Sequence, residues 1–219
     1  MCIKKPMPLL ILFVLVLAGC SNEPSGQYTL GDVSLTEGFT QVDAWEQYAD
    51  PDTGTDLQVA DGAYRMQTGD NGYIWGLNEQ EHNDIVIEVT ASPASSHLNN
   101  AYGVMCRADT SNNGDGYYFL ISGDGFYSIA RGEGDDITPL VEWQESSAIN
   151  EGQASNELRA ICVGDYLALY INDKFLAETR DSAYGSGYAG FAAAAFAEGS
   201  IDVSFDDLTV WEASLLSTP

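Results

Sequence analysis

The sequence predicts an all-β domain, a sandwich or barrel of about twelve short antiparallel strands. Three observations carry this. Short β-branched and aromatic runs recur between clusters of Gly, Asn and Asp. Turn chemistry returns every ~8–12 residues. No long stretch has a helical period, and no internal repeat is visible.

In chain order, residues 38–45 read as a first strand or an extended arm, and 48–56 (YADPDTGTD) as turn throughout. Residues 56–59 and 64–67 form a hairpin around Asp61-Gly62, a strong two-residue turn signal. A short strand covers 73–75. Residues 84–90 alternate, with Ile85, Ile87 and Val89 on one face. Residues 101–131 read as three strands folded back on each other: Tyr102–Arg107, Tyr117–Ile121 and Phe126–Arg131, joined by a polar loop and the turn Gly123-Asp-Gly125. If Tyr102, Val104 and Cys106 face the core, Arg107 faces away from it. Residues 138–143 are extended, and the polar stretch 144–156 has room for one helical turn. Residues 158–163, 166–171 and 175–179 form a meander. The small, apolar 187–196 reads as a closely packed strand despite the helical propensity of Ala192–Ala195, and 201–211 closes the domain with Ile201, Val203 and Phe205 in alternation.

A 219-residue chain buries roughly 70% of its unfolded surface and needs no staple to fold. Its charge is unusual: 8 basic residues against 33 acidic ones, or −25. Lys4 and Lys5 lie in a targeting segment, so the remainder carries 8 − 2 = 6 bases and a charge of −27. That excludes nucleic acid and anionic headgroups as favoured partners.

The N-terminus supplies the cell address. Lys4 and Lys5 precede an apolar run over residues 9–16, followed by Leu17-Ala-Gly-Cys20. This is a secretory signal, too short for a stable membrane span. The last four residues resemble the lipobox of bacterial lipoproteins, which implies cleavage before Cys20 and lipidation of that residue. Acyl chains would then hold the domain at a membrane, in the bacterial cell envelope and outside the cytoplasm. The expected organisation is a signal peptide at 1–19, a polar tether at 20–37, the domain at 38–213 and a tail at 214–219. Cys2 leaves with the signal. Cys106 and Cys162 remain, inside predicted strands, as a disulfide or as two buried thiols; an oxidising compartment favours the disulfide.

Several phrases together resemble one family: Asp61–Arg65, Tyr102–Arg107, Gly116–Tyr127, Leu158–Gly164, Leu169–Asp173, Gly187–Phe191 and Val203–Val210. They are similar to the concanavalin A-like (LamG-type) jelly rolls of bacterial lipoproteins, a fold shared with keto-disaccharide hydrolase-like domains and family 16 glycosidases. The resemblance implies two curved antiparallel sheets with a concave face often used for sugar. This superfold hosts lectins, enzymes and adhesion modules alike.

Chemistry is harder to find. The paired carboxylates of family 16 on one strand are absent; Glu142 and Glu145 have odd spacing, and Glu88 stands alone. His82 and His97 sit in polar, turn-like segments with no G-x-S-x-G nearby. Residues 109–114 begin like a calcium-binding EF-hand loop, but position 12 is Leu120 and no helices flank it. Calcium stays open as a cofactor at residues 50–56 or near Asp206 and Asp207. Sugar binding needs aromatic faces and a few orienting polar groups. The candidates are Tyr73, Trp75, Arg107, Tyr118, Tyr127, Arg131 and Trp143, the arginines standing out because bases are scarce. The leading expectation is a non-catalytic, membrane-anchored module binding carbohydrate or another surface polymer. The rivals are a glycosidase-like enzyme on sugar derivatives and a structural or adhesive surface protein.

Overall fold

The computed structural model describes residues 23–69, 71–134, 136–196 and 199–216. The segment read as a signal peptide, Cys20 and the last three residues of the expected tail lie outside them. The strands in chain order are β1 (Tyr28–Glu37), β2 (Tyr48–Asp50), β3 (Thr55–Ala60), β4 (Ala63–Thr68), β5 (Gly72–His82), β6 (Ile85–Pro93), β7 (Asn100–Ala108), β8 (Gly116–Ile121), β9 (Phe126–Glu133), β10 (Asp136–Glu145), β11 (Asn156–Val163), β12 (Tyr166–Ile171), β13 (Lys174–Arg180), β14 (Gly187–Ala195) and β15 (Ile201–Leu215). They form two antiparallel sheets. One has nine strands, in the order β13-β12-β11-β6-β15-β4-β3-β2 with β1 also on β15; the other has six, β10-β9-β8-β7-β14-β5.

Alternation decides what lies between the sheets. Ile85, Ile87 and Val89 of β6 and Ile201, Val203 and Phe205 of β15 face Tyr102, Val104 and Cys106 of β7 and Tyr117, Phe119 and Ile121 of β8. An aromatic stack closes one flank: Phe191 lies parallel to Phe205 at 4.2 Å and to Trp45 at 4.9 Å. Tyr64 completes it, its hydroxyl donating to the Glu46 carbonyl at 2.6 Å. Gly76 makes room for that ring, since a Cβ there would meet the Tyr64 hydroxyl at 2.0 Å. At Asp61-Gly62 both residues have positive φ, 53° and 80°, as a two-residue hairpin turn requires.

Several expectations change. Residues 48–56, read as turn throughout, hold strand β2 and the start of β3 at Thr55, and the short strand at 73–75 is part of the longer β5. The polar segment taken as tether up to residue 37 is a strand from Tyr28 onward, paired with β15 from Leu215 to Leu208. Its residues are mostly exposed, so no alternation marks it. Residues 38–45 form neither a strand nor a free arm. Phe39 and Trp45 are buried around a 3₁₀ turn at Val42–Ala44. The polar stretch 146–155 holds turns and no helix.

Cys106 and Cys162 are joined in a disulfide with Cα atoms 6.7 Å apart. It runs from β7 in one sheet to β11 in the other and so ties the sheets together.

One buried group gives the fold a pH dependence. His82, at the end of β5, has no hydrogen-bond partner for Nε2. Burial lowers its pKa from the ordinary 6.5, only partly opposed by the negative charge of Glu212. The unfolded chain then binds the proton more readily than the folded one, so stability is complete above pH 6.5 and falls as pH drops towards the folded value. Asp181 and Glu178, both lowered, act only below their ordinary 3.8 and 4.5. The urea midpoint should therefore decline between about pH 7.5 and 5.5, and His82→Gln should flatten that decline.

Candidate functional site

The face of the six-stranded sheet that points away from the core is the most distinctive surface of the molecule. Its floor is made of small and buried residues: Ala101 and Met105 on β7, Leu120 on β8, Ala130 on β9, Ala192 and Ala194 on β14. Larger rings stand around and over them: Tyr73 and Trp75 on β5, Tyr118 on β8, Trp143 on β10, Tyr188 on β14, and Phe196 just beyond β14. The alanine-rich sequence of β14 has a reason here. Ala193 and Ala195 pack into the core while Ala192 and Ala194 leave depth on the other face for neighbouring rings.

The rings are joined edge to face. Tyr73 meets Tyr118 at 6.0 Å and Phe196 at 5.9 Å, and Phe196 meets Trp143 at 6.3 Å with the planes 83° apart. The aromatic line thus runs from edge strand β5 to edge strand β10. Tyr118 donates its hydroxyl to the Gly114 carbonyl at 2.7 Å, and burial raises its pKa well above the ordinary 10; Tyr73 is pushed up to about 12 for the same reason. Both phenols stay neutral near neutral pH; Tyr118, fully buried, packs under the neighbouring rings, and Tyr73 is the one that reaches the surface.

Three hollows lie on this side of the molecule, the first two beside the line. One of about 310 Å³ lies at the β8–β9 turn, among Asn99, Asp124, Phe126, Trp143 and Phe196. One of about 210 Å³ lies along β5, by Tyr48, Tyr73, Trp75 and Asn112. One of about 220 Å³ lies by Glu46, Glu79, Thr110 and Tyr188. The loop between β7 and β8 shapes the last two. Trp75 Nε1 donates to Asn112 Oδ1 at 2.5 Å, and Asn112 Nδ2 donates to Glu46 Oε1 at 2.8 Å. In that same loop, Asp109 and Asn113 spend side-chain oxygens on the amides of Ser111 and Asp115. It is a long hairpin connection built on its own side chains.

The candidates chosen from sequence therefore separate. Trp75 and Trp143, with Tyr73, are partly exposed on the outer face; Tyr118 points to that face too but is fully buried beneath the other rings, so it supports them and does not meet a ligand. Tyr127 does not point to that face. It lies in the core between the sheets, its hydroxyl donating to the Leu176 carbonyl at 3.2 Å. Arg107 is also displaced from the expected position. Two steps along β14, Tyr188 to Gly190, span three steps of β7, Met105 to Ala108, and Arg107 has φ 51°. This bulge breaks the alternation and turns the side chain into the end of the sandwich, where it is 2% exposed. Arg131 lies at that same end. It donates to Asp181 at 2.9 Å, whose other carboxylate oxygen accepts from Tyr117 at 2.6 Å. Both arginines fasten the residue 181–184 segment, at the opposite end of β7–β9 from the 310 Å³ hollow.

Phe126, Asp124, Asn99 and Phe196 were not singled out from sequence. A signal was available for two of them: Phe126 shares parity with Ala130, and Phe196 with Ala192 and Ala194, all outward-facing.

Carboxylates gather elsewhere too. On the outer face of the nine-stranded sheet, a cleft of about 220 Å³ is lined by Glu88, Glu157, Asp173 and Asp207 around Arg159. Arg159 bonds both Glu88 and Asp173, so Glu88 is not alone. Glu142 and Glu145 are exposed on edge strand β10. Among the described residues no three His, Cys, Asp or Glu side chains are grouped to hold a metal. In the segments considered for calcium, Asp50 and Asp206 accept backbone amides of their own turns, and Asp56 accepts from Gln58.

No protein-family model and no curated protein matches the sequence. Solved structures do match the fold. The carbohydrate-binding module CBM66 from Bacillus subtilis superposes with a TM-score of 0.59 at 16% identity, over 78% of this chain and 97% of that one. A protein of unknown function with a galectin-like fold, also from Bacillus subtilis, gives 0.62 at 13% identity, over 85% and 99%. The exoplasmic/lumenal domain of VIP36, solved with Ca2+ and Man3GlcNAc bound, gives 0.57 at 13% identity, over 84% and 90%. A glycosidic hydrolase occurs among the matches as well. The fold is a jelly-roll sandwich. At these identities the likeness concerns the fold alone.

Proposed function

We propose that this protein is a non-catalytic carbohydrate-binding module, presented outside the cytoplasm on a lipid anchor at Cys20. The observation that carries the reading is the aromatic line from Tyr73 through Phe196 to Trp143, with open hollows beside it and amide and carboxylate groups at their rims. Sugar rings present flat C–H faces to aromatic side chains and need a few polar groups to orient their hydroxyls. Structural neighbours that include a carbohydrate-binding module support the reading, and the lipobox-like Leu17–Cys20 supports the anchor.

The test is a glycan array followed by calorimetry on the purified chain, with and without calcium. Trp143→Ala should weaken binding about tenfold, the equivalent of ~1.4 kcal/mol. Tyr127→Phe, which alters only a core hydroxyl, should leave it unchanged. Absence of binding to every glycan would refute the reading, and polysaccharide turnover abolished by a substitution at Glu88 or Asp173 would replace it with the hydrolase. Incorporation of labelled palmitate, lost in Cys20→Ser, checks the anchor.

A further inference from the structure

We infer that the hollow at the β8–β9 turn takes a cationic sugar, a hexosamine unit with its amine protonated, in preference to neutral, acetylated or acidic sugars. This rests on the carbohydrate reading and assigns its ligand class.

Three features converge. First, the walls are aromatic and set at an angle. Trp143 and Phe196 stand 83° apart with centroids at 6.3 Å, and Phe126, 36% exposed, stands on another side. A cation held within about 6 Å of such ring centroids gains from the quadrupole of each face. The same walls accept the C–H face of a pyranose.

Second, the charged group in the lining is a carboxylate, Asp124. Its turn is held on all sides. Gly123 N donates to Asn100 Oδ1 at 3.0 Å, and Ser122 N donates to the Phe126 carbonyl at 2.8 Å. Gly152 N donates to Gly123 O, and Ser146 N to Gly125 O. Ser122 Oγ donates to Asp124 Oδ1. A carboxylate has about four lone-pair sites, so this bond leaves capacity for an ammonium. Two further acids flank the turn: Glu145 is paired opposite Phe126 on the neighbouring strand, and Glu151 lies beside Gly125.

Third, among the described residues no base lines the hollow. Each of the five arginines is paired with a carboxylate elsewhere: Arg65 with Asp202, Arg107 with Asp84, Arg131 with Asp181, Arg159 with Glu88 and Arg180 with Asp165. The described lining therefore offers no positive charge to the carboxylate of a uronic acid or to a sulfate ester, and the strongly negative chain repels both. An N-acetyl group removes the charge that the Asp124 side of the hollow would recognise.

The experiment compares size-matched oligomers of glucosamine, N-acetylglucosamine, glucose and galacturonate by calorimetry at low and moderate salt. The amine-bearing oligomer should bind at least about tenfold tighter than the acetylated and neutral ones, and the preference should shrink with salt. Asp124→Asn should reduce glucosamine binding to the level of glucose, with an unchanged melting temperature showing that the fold is intact. Neutral or acetylated oligomers binding as tightly as the amine overturn this inference and leave the carbohydrate reading standing. Amine binding that survives Asp124→Asn also overturns it, because the surface charge as a whole would then be holding the ligand. Failure of all four oligomers at ~1 mM overturns this inference, and the carbohydrate reading falls with it only if the glycan array is blank as well.

Discussion

Replacing Arg107 with Met should cost about 3–5 kcal/mol of folding stability: its partner Asp84 is 42% exposed and stays solvated, but each buried backbone acceptor left without a donor costs roughly 1–3 kcal/mol. All five guanidinium N–H groups are used. Nε donates to the Asn83 carbonyl at 3.1 Å; Nη1 to those of Gly164 at 2.8 Å and Tyr184 at 3.0 Å; Nη2 to Asp84 Oδ1 at 2.8 Å and to the Cys162 carbonyl at 3.4 Å. One side chain thus gathers the β5–β6 turn, the end of β11 with its turn to β12, and the segment before β14. Met comes close to its length but leaves four carbonyls without their donor. Lysine is no equivalent either: Arg107→Lys keeps the charge but brings three donors from a single nitrogen, and should recover only part of the loss. At ~2–4 °C per kcal/mol for a chain of this size, thermal melts should show Arg107→Met falling by about 6–20 °C. Glycan binding below the new midpoint should persist, because the aromatic line lies on another face. Binding lost with stability intact would restore Arg107 to the ligand face.

That contrast shows where sequence reading stops. The periodic signal is reliable while a strand keeps its pleat: Ile85, Ile87 and Val89 fall on the core face as expected, as do Ile201, Val203 and Phe205. It fails where one residue is inserted. The bulge at Arg107 is set by pairing with β14, some eighty residues later in the chain, and nothing local announces it. Phe126 and Tyr127 show a second difficulty. Two adjacent aromatics must face opposite ways, and choosing Tyr127 for the ligand face required ignoring its shared parity with Ile129. Strand β1 shows a third. It lies at an edge with mostly exposed residues, so its composition matches that of a tether. The scarcity of bases was legible, but its meaning was not: the arginines are rare and all serve as structural ties, leaving the aromatic hollows lined by amides and acids.

Removing the Cys106–Cys162 bridge by a Cys106→Ala/Cys162→Ala double substitution should cost roughly 4 kcal/mol on the chain-entropy account of a loop this long. The bridge spans 56 positions and joins the two sheets directly, so its loss frees the unfolded chain across β7 through β11. The cost should not add simply to that of Arg107→Met. Cys106 and Arg107 are neighbours on β7, and both reach Cys162, one through sulfur and the other through the backbone carbonyl. Each fastener holds the partner strand where the other needs it. A double-mutant cycle in urea should therefore show a coupling of about 0.5–3 kcal/mol between them. The sign separates two cases. If the loss in the combined variant exceeds the sum, the arginine still positions Cys162 when the bridge is gone, and each compensates for the other. If it falls short of the sum, this end of the sandwich opens once either is removed. Since the sum of ~7–9 kcal/mol approaches the whole stability of an ordinary domain, the cycle is best run in a stabilising osmolyte such as sucrose. Reducing the wild-type chain should reproduce the Cys106→Ala/Cys162→Ala loss, and equal midpoints for oxidised and reduced protein would show that the sheets are held by packing and Arg107 alone.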